Sequence, residues 1–137
     1  MNVIVRKYDD LDYDIVNNLI LNSFGYEKKR ISNNNVLEFV CEVDSNIVGY
    51  FNMTKNIDIV KDIKINHIDY VCVDSNYQGL GIGKKMMEYA IDYSIKDGVN
   101  RLELTSSSKR VIAHKLYLSL GFEVRDSSIF RKELVWY

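Results

Sequence analysis

Residues Ile68 to Lys85 read IDYVCVDSNYQGLGIGKK, and the reading of this stretch decides the fold. It opens as a short β-like run, Ile68 to Val73, and turns through Asp74, Ser75 and Asn76. It ends in Gln78-Gly79-Leu80-Gly81-Ile82-Gly83, where a helix begins. Each glycine costs backbone entropy on folding, so glycines at alternate positions of a strand-to-helix junction need a reason. A loop without β-carbons lets a ligand press against the main chain. The N–H groups that open the helix then point at it, and with the positive end of the helix dipole they favour phosphate. Gln78 to Lys84 therefore reads as a pyrophosphate cradle.

Two familiar glycine loops do not fit. A P-loop needs four residues between its glycines, then Lys and Ser or Thr. Here Lys85 follows Lys84, so the magnesium-binding hydroxyl is missing. A dinucleotide fingerprint needs GxGxxG after the first strand of a βαβ unit. This loop is GxGxG and follows several strands.

Working outward, Val3 to Arg6 alternates as a first strand. Acidic residues 9–14 cap a helix with Leu11, Ile15, Leu19 and Ile20 on its buried face. Residues 26–35 are polar and irregular. Phe39 to Val43 and Ile47 to Met53 flank the turn residues Asp44-Ser45-Asn46 and predict a hairpin. Ile57 to Ile65 extends the third strand, with a break at Lys61-Asp62. Downstream, the helix carries Ile82, Met86, Tyr89, Ala90 and Tyr93 on one stripe and stops near Gly98. Leu102 to Leu104 is a short strand. Ser106 to Ser108 offers capping hydroxyls to a helix over 109–120 with Ala113, Leu116, Tyr117 and Leu120 on one face. Phe122 to Arg125 and Ile129 to Val135 then pair as two more strands around Asp126-Ser127-Ser128.

The 137 residues suggest one domain, 1–137, with one core. A net charge of -1 gives no pull toward nucleic acid or membrane, and neither partner is expected. No apolar run is long enough to span a bilayer, and the start lacks a signal-peptide pattern. Cys41 and Cys72 form no CxxC pair, disulfide framework or metal site. A reducing, cytoplasmic location is expected.

The third glycine pattern is Gln/Arg-x-x-Gly-x-Gly/Ala, matched by Gln78, Gly81 and Gly83. Downstream stands Ala113-His114-Lys115-Leu116-Tyr117, then Leu120-Gly121-Phe122. On these two motifs, and on the strand Val71-Cys72-Val73-Asp74 before the first, the chain resembles the GNAT superfamily of acyl-CoA-dependent N-acetyltransferases. The resemblance covers the whole chain in element order. It implies an α/β (α+β) fold with a mixed, mostly antiparallel sheet of about six to seven strands, about four helices, and splayed fourth and fifth strands. It implies acetyl-CoA as cosubstrate, no metal, an amine on a small molecule or protein as acceptor, and a possible homodimer. Two positions depart from the family pattern: Ser75 stands where proline is common, and Arg110 where an asparagine is.

The residues give the implied chemistry a physical sense. On the resemblance, the amides of Gln78, Gly79, Leu80, Gly81, Ile82, Gly83 and Lys84 would cradle the pyrophosphate of CoA, and Arg110 would reach a phosphate or the ribose in place of the usual asparagine contact. The main-chain edge at Val71, Cys72 and Val73 pairs with the pantetheine amides like an added strand. A main-chain N–H near Val73 polarises the thioester carbonyl. An acceptor ammonium must lose a proton, with a reference pKa of about 10.4, and the departing thiolate must gain one. Tyr117 is the candidate donor; its bland alternative is a packed core aromatic. Asp69 is the candidate base, sharing a face with Val71, Val73 and His67 by strand alternation. Its alternatives are an electrostatic partner for the substrate ammonium or a structural hydrogen bond. His67 reads as an exposed strand-end residue and His114 as solvent-facing. The resemblance implies acceptor recognition by residues 24–38 and the turn after the third strand, where Glu27, Glu38, Asp58 and Asp62 are either ammonium-attracting or scattered surface carboxylates. A non-catalytic acyl-CoA-binding or regulatory module is the alternative function, since fold does not fix activity.

Overall fold

The structure is a computed structural model that describes residues 1–135. The chain divides after Thr105 into two compact units.

The first unit is a five-stranded sheet in the order β1-β2-β3-β4-β5. The strands are β1 (Val3–Lys7), β2 (Val36–Val43), β3 (Asn46–Asp58), β4 (Ile63–Val73) and β5 (Arg101–Leu104). Helix α1 (Tyr13–Phe24) joins β1 to β2, and α2 (Ile82–Lys96) joins β4 to β5. The first four strands pair antiparallel, and β4–β5 is parallel, as a crossover helix requires.

The β2–β3 turn has Asp44 at φ 48° and Ser45 at φ 72°, the two positive values that a two-residue hairpin turn needs to match strand twist. The break expected at Lys61-Asp62 is a second hairpin turn. It moves the start of the fourth strand back from Ile68 to Ile63.

Each sheet face holds its own core. On one, Val16, Leu19 and Ile20 of α1 pack with Val40, Tyr50 and Cys72. On the other, Phe39 stacks on Phe51 at 5.0 Å and meets Tyr89 and Tyr93 of α2 edge-on. A β-carbon on Gly49 would stand 2.8 Å from the Met86 sulfur, so glycine there lets α2 lie close to β3. Buried Asn66 donates from Nδ2 to Ser94 Oγ at 3.1 Å, which satisfies a polar pair between β4 and α2.

The buried stripe of α1 keeps Leu19 and Ile20, as expected, but not its first two residues. Leu11 is 94% exposed, and Ile15 is also exposed. Leu11 lies in a short 3-10 turn, Asp10–Asp12, that precedes the helix. Asp9 caps this turn by accepting from Leu11 N, while Asp12 accepts from Asp9 N at 2.8 Å. Arg6 grips Asp12 with two 2.9 Å hydrogen bonds, and this holds the Asp12 carboxyl below its usual range. The 3.6-residue count thus starts at Tyr13, after the Asp9–Asp12 turn, and Val16 takes the place expected for Ile15.

The second unit contains α3 (Val111–Ser119). Its stripe falls as expected: Tyr117 is buried, and Ala113, Leu116 and Leu120 are half-buried. The serines do not cap it. Arg110 is the residue at its N-terminal boundary, and Ser107 Oγ instead accepts from Lys109 N at 3.3 Å. The two strands expected over 122–135 are absent among the described residues. The sheet has five strands and the chain three α-helices there, fewer than the six to seven and four expected. Val124, Ile129 and Leu134 are exposed, and Phe130 is 94% exposed. Apolar alternation specifies a strand only where a partner takes its main-chain groups, and a lone hairpin is marginal.

Candidate functional site

Strand β4 changes character at its midpoint. Its pairing with β5 ends at Ile68↔Leu104. The next residues form a bulge: Asn52 faces Asp69 and Tyr50 faces Cys72, so Tyr70 and Val71 together oppose Phe51. Tyr70 has φ 53°, a left-handed value uncommon for a bulky residue and costing about 1–3 kcal/mol. Asp69 Oδ1 accepts from Tyr70 N at 2.9 Å and supports the bend.

The bulge also inverts the faces. Cross-strand partners share a face, and Tyr50 and Asn52 lie on the α1 side with Cys72. Asp69 and His67 therefore lie on the α1 side, while Val71 and Val73 turn to the α2 side. This overturns the expectation that Asp69 shares a face with the two valines. It keeps the pairing of Asp69 with His67. His67 is not at a strand end: it sits mid-strand and half-buried, between Thr54 and Glu103. His114 is half-buried on α3.

Beyond the bulge, Asp74 N donates to Val48 O at 2.7 Å. In an antiparallel ladder that bond brackets Gly49 and Val73 as a non-hydrogen-bonded pair. The N–H and C=O of Val73 consequently point away from β3, toward the side where β5 has ended. The Cys72 side chain is buried in the α1-side core.

The chain then turns through Ser75–Tyr77, a 3-10 turn in which Asp74 Oδ1 accepts from Asn76 N at 2.9 Å and Asp74 O accepts from Tyr77 N at 2.8 Å. The aspartate provides the stiffness that a proline at position 75 would otherwise supply. Gln78 is extended, and Gly79 and Gly81 adopt φ 78° and 80°. No atom lies within 4 Å of where a β-carbon would stand on either glycine, so the dihedral, not crowding, demands them. Gly81 is the N-terminal boundary of α2 and supplies no side-chain cap. Leu80 and Lys84 are exposed, Gly83 is half-buried and Ile82 is buried. The N–H groups of Ile82, Gly83 and Lys84 thus open a 15-residue helix without a capping side chain.

Arg110 and Tyr117 belong to the second unit. Burial raises the Tyr117 phenol above its usual range, and the Arg110 charge pulls it partly back. The Tyr117 ring meets Phe122 edge-on at 6.0 Å.

A cleft of about 700 Å³ opens on the α1 side of the first unit, between the irregular segment 26–33 and strands β2 and β3. Glu38, which the sequence leaves as either an ammonium-attracting or a scattered surface carboxylate, lies in β2 at its floor. Lys28 Nζ stands 2.8 Å from Glu38 Oε1, and Tyr50 donates its hydroxyl to the same oxygen at 2.7 Å. Asn52 donates from Nδ2 to the Tyr50 oxygen at 3.2 Å. Burial pushes the Tyr50 phenol up; the Asn52 hydrogen bond pulls it partly back, and the Glu38 hydrogen bond and charge add to the rise. Lys28, Tyr50 and Asn52 carried no sequence signal: they sit in an irregular run and an ordinary strand.

The acetyltransferase (GNAT) family model matches residues 8–122, and the chain belongs to that family. An uncharacterized N-acetyltransferase from Methanocaldococcus jannaschii is 33% identical over 89 residues, which cover 64% of this chain and 39% of that relative. The chain spans less than half the length of the curated relatives it matches. Two solved structures share the fold. A transcriptional regulator from Bacillus halodurans C-125 has a TM-score of 0.85 at 19% identity, over 96% of this chain and 100% of that one. A predicted acetyltransferase from Clostridium acetobutylicum, solved with acetyl-CoA, has a TM-score of 0.74 at 15% identity, over 96% of each chain. No helix among the described residues is long and apolar enough to cross a membrane.

Proposed function

We propose that this protein is an acetyl-CoA-dependent N-acetyltransferase acting on a primary amine by direct attack on the thioester. The observation that carries the reading is the second half of β4. It leaves its β5 partner, turns the Val73 N–H outward and runs into a helix start without a side-chain cap. Those are the two devices needed for an acyl-pantetheine arm and its pyrophosphate. Family membership supports the donor.

Val71 and Val73 align the pantetheine amides, and the amides from Gln78 to Lys84 hold the pyrophosphate with Arg110 as a further phosphate contact. The Val73 N–H stabilises the oxyanion as the amine attacks. Asp69, directly or through water, takes one proton from the ammonium, and the freed lone pair forms the C–N bond. The C–S bond breaks, Tyr117 gives its proton to the thiolate, and the amide nitrogen sheds its second proton. Tyr117 is reprotonated, leaving an acetamide, free thiol and one proton for solvent.

Acetyl-CoA incubated with a panel of amines, with free thiol followed, tests this. Thiol release that depends on the amine is expected. Tight acetyl-CoA binding with no release across the panel would instead indicate an acyl-CoA-binding module.

A further inference from the structure

The cleft floor already holds an ammonium group. Lys28 Nζ lies 2.8 Å from Glu38 Oε1 and 4.8 Å from the centre of the Tyr8 ring. A carboxylate backed by an aromatic face is a built seat for a primary ammonium. Tyr50 and Asn52 fix the Glu38 carboxylate through the 2.7 and 3.2 Å bonds described above. The lysine stem is nearly covered, with 10% of the side chain exposed. Its main chain is pinned to α1: Lys28 N donates to Asn17 Oδ1 at 2.7 Å, and the Tyr13 hydroxyl donates to Lys28 O.

The register places a second carboxylate in the same row. Glu38 faces Asn52 across β2–β3, and Asn52 faces Asp69 across β3–β4. Partners in adjacent strands share a face, and each step is about 5 Å, so Glu38 and Asp69 stand about 10 Å apart in one line on the α1 side.

We infer that the acceptor carries two amino groups. One reacts beside Asp69, and the other displaces Lys28 from the seat made by Glu38 and the Tyr8 ring. Lys28 is then a tethered occupant that keeps the seat from standing empty and sets a threshold that single amines do not pass. The acceptor class is a diamine or polyamine. This rests on the acetyl-transfer reading above and adds the acceptor to it.

The test compares diaminobutane, diaminohexane and diaminooctane with butylamine, hexylamine and octylamine as acceptors, for wild type, Glu38→Gln and Lys28→Met. The wild type should show a kcat/KM at least about tenfold higher for the best diamine than for the monoamine of equal length. Glu38→Gln should bring that ratio near one. Lys28→Met, which keeps the stem but empties the seat of charge, should raise it. Equal use of diamines and monoamines by wild type, or a ratio unmoved by Glu38→Gln, overturns the inference while leaving acetyl transfer intact. If no amine is acetylated, the transfer reading fails, and the seat is judged by binding alone. Thermal stabilisation of wild type by diaminohexane that is lost in Glu38→Gln supports it. No stabilisation, or equal stabilisation of both, overturns it.

Discussion

The two halves of β4 share one strand and differ in almost every physical respect. Over Ile65–Ile68 the strand is paired with both β3 and β5, and Asn66 is tied to Ser94 of α2. Over Asp69–Val73 it is bulged, carries a strained Tyr70 and has run past the end of β5. The first half anchors, and the second is held in position by it. Strain and an outward N–H persist one step from a fully paired ladder because the ladder over-determines them.

Proline substitution breaks this comparison most sharply. His67→Pro, in the doubly paired half, should prevent folding, since a partner strand lies on each side of His67 and its N–H is in a ladder whichever way it points. Val73→Pro should fold, because that N–H is outside the β3 ladder, yet lose about 10²–10³-fold in turnover with the proposed oxyanion donor gone. Circular dichroism and thiol release measure the pair, and an active Val73→Pro would remove Val73 from the mechanism.

Next in size is Tyr117→Phe, expected to lower kcat about 10²-fold with little change in the KM for acetyl-CoA. Burial raises the phenol above its ordinary pKa of about 10, so it keeps its proton to higher pH. The wild-type rate should therefore show no loss from this group below about pH 10. An alkaline fall near pH 8 that vanishes in Tyr117→Phe would contradict the assignment.

Asp69→Asn keeps an oxygen for the Tyr70 N–H and so spares the bulge. It should cost about tenfold at neutral pH, with the deficit shrinking as pH approaches the amine pKa of about 10.4 and the base becomes dispensable. A deficit independent of pH would make Asp69 a structural support of the bulge only. Smallest is Gly81→Ala, which places a β-carbon at φ 80° at a cost of about 1–2 kcal/mol. It should lower the thermal midpoint and weaken acetyl-CoA binding several-fold by calorimetry, with turnover at saturation near wild type.

Much of the first unit could be read from sequence because its signals are local. The glycine loop, the α2 stripe and the Asp44-Ser45 turn depend on dihedrals and periodicity within a few residues. Only the start of the α1 stripe is not legible, because a local signal is ambiguous: the acidic run Asp9 to Asp14 fits a cap at several positions, and the Arg6–Asp12 pair selects one. The C-terminal strands are absent among the described residues for a different reason. Their alternation is present in the residues, but a strand also needs a neighbour, and that is not a property of the segment.

Sequence by itself determined the family motifs and the sites of the turns, and it singled out Asp69, Gln78–Lys84 and Tyr117 as candidates, all by residue type and short spacing. Only the tertiary structure decided which way β4 faces. One extra residue at Tyr70-Val71 reverses the side-chain alternation after it, separating Asp69 from Val71 and Val73 and aligning it with Asn52 and Glu38. That row joins residues from three strands through interstrand register, a long-range quantity that no single stretch of this sequence encodes.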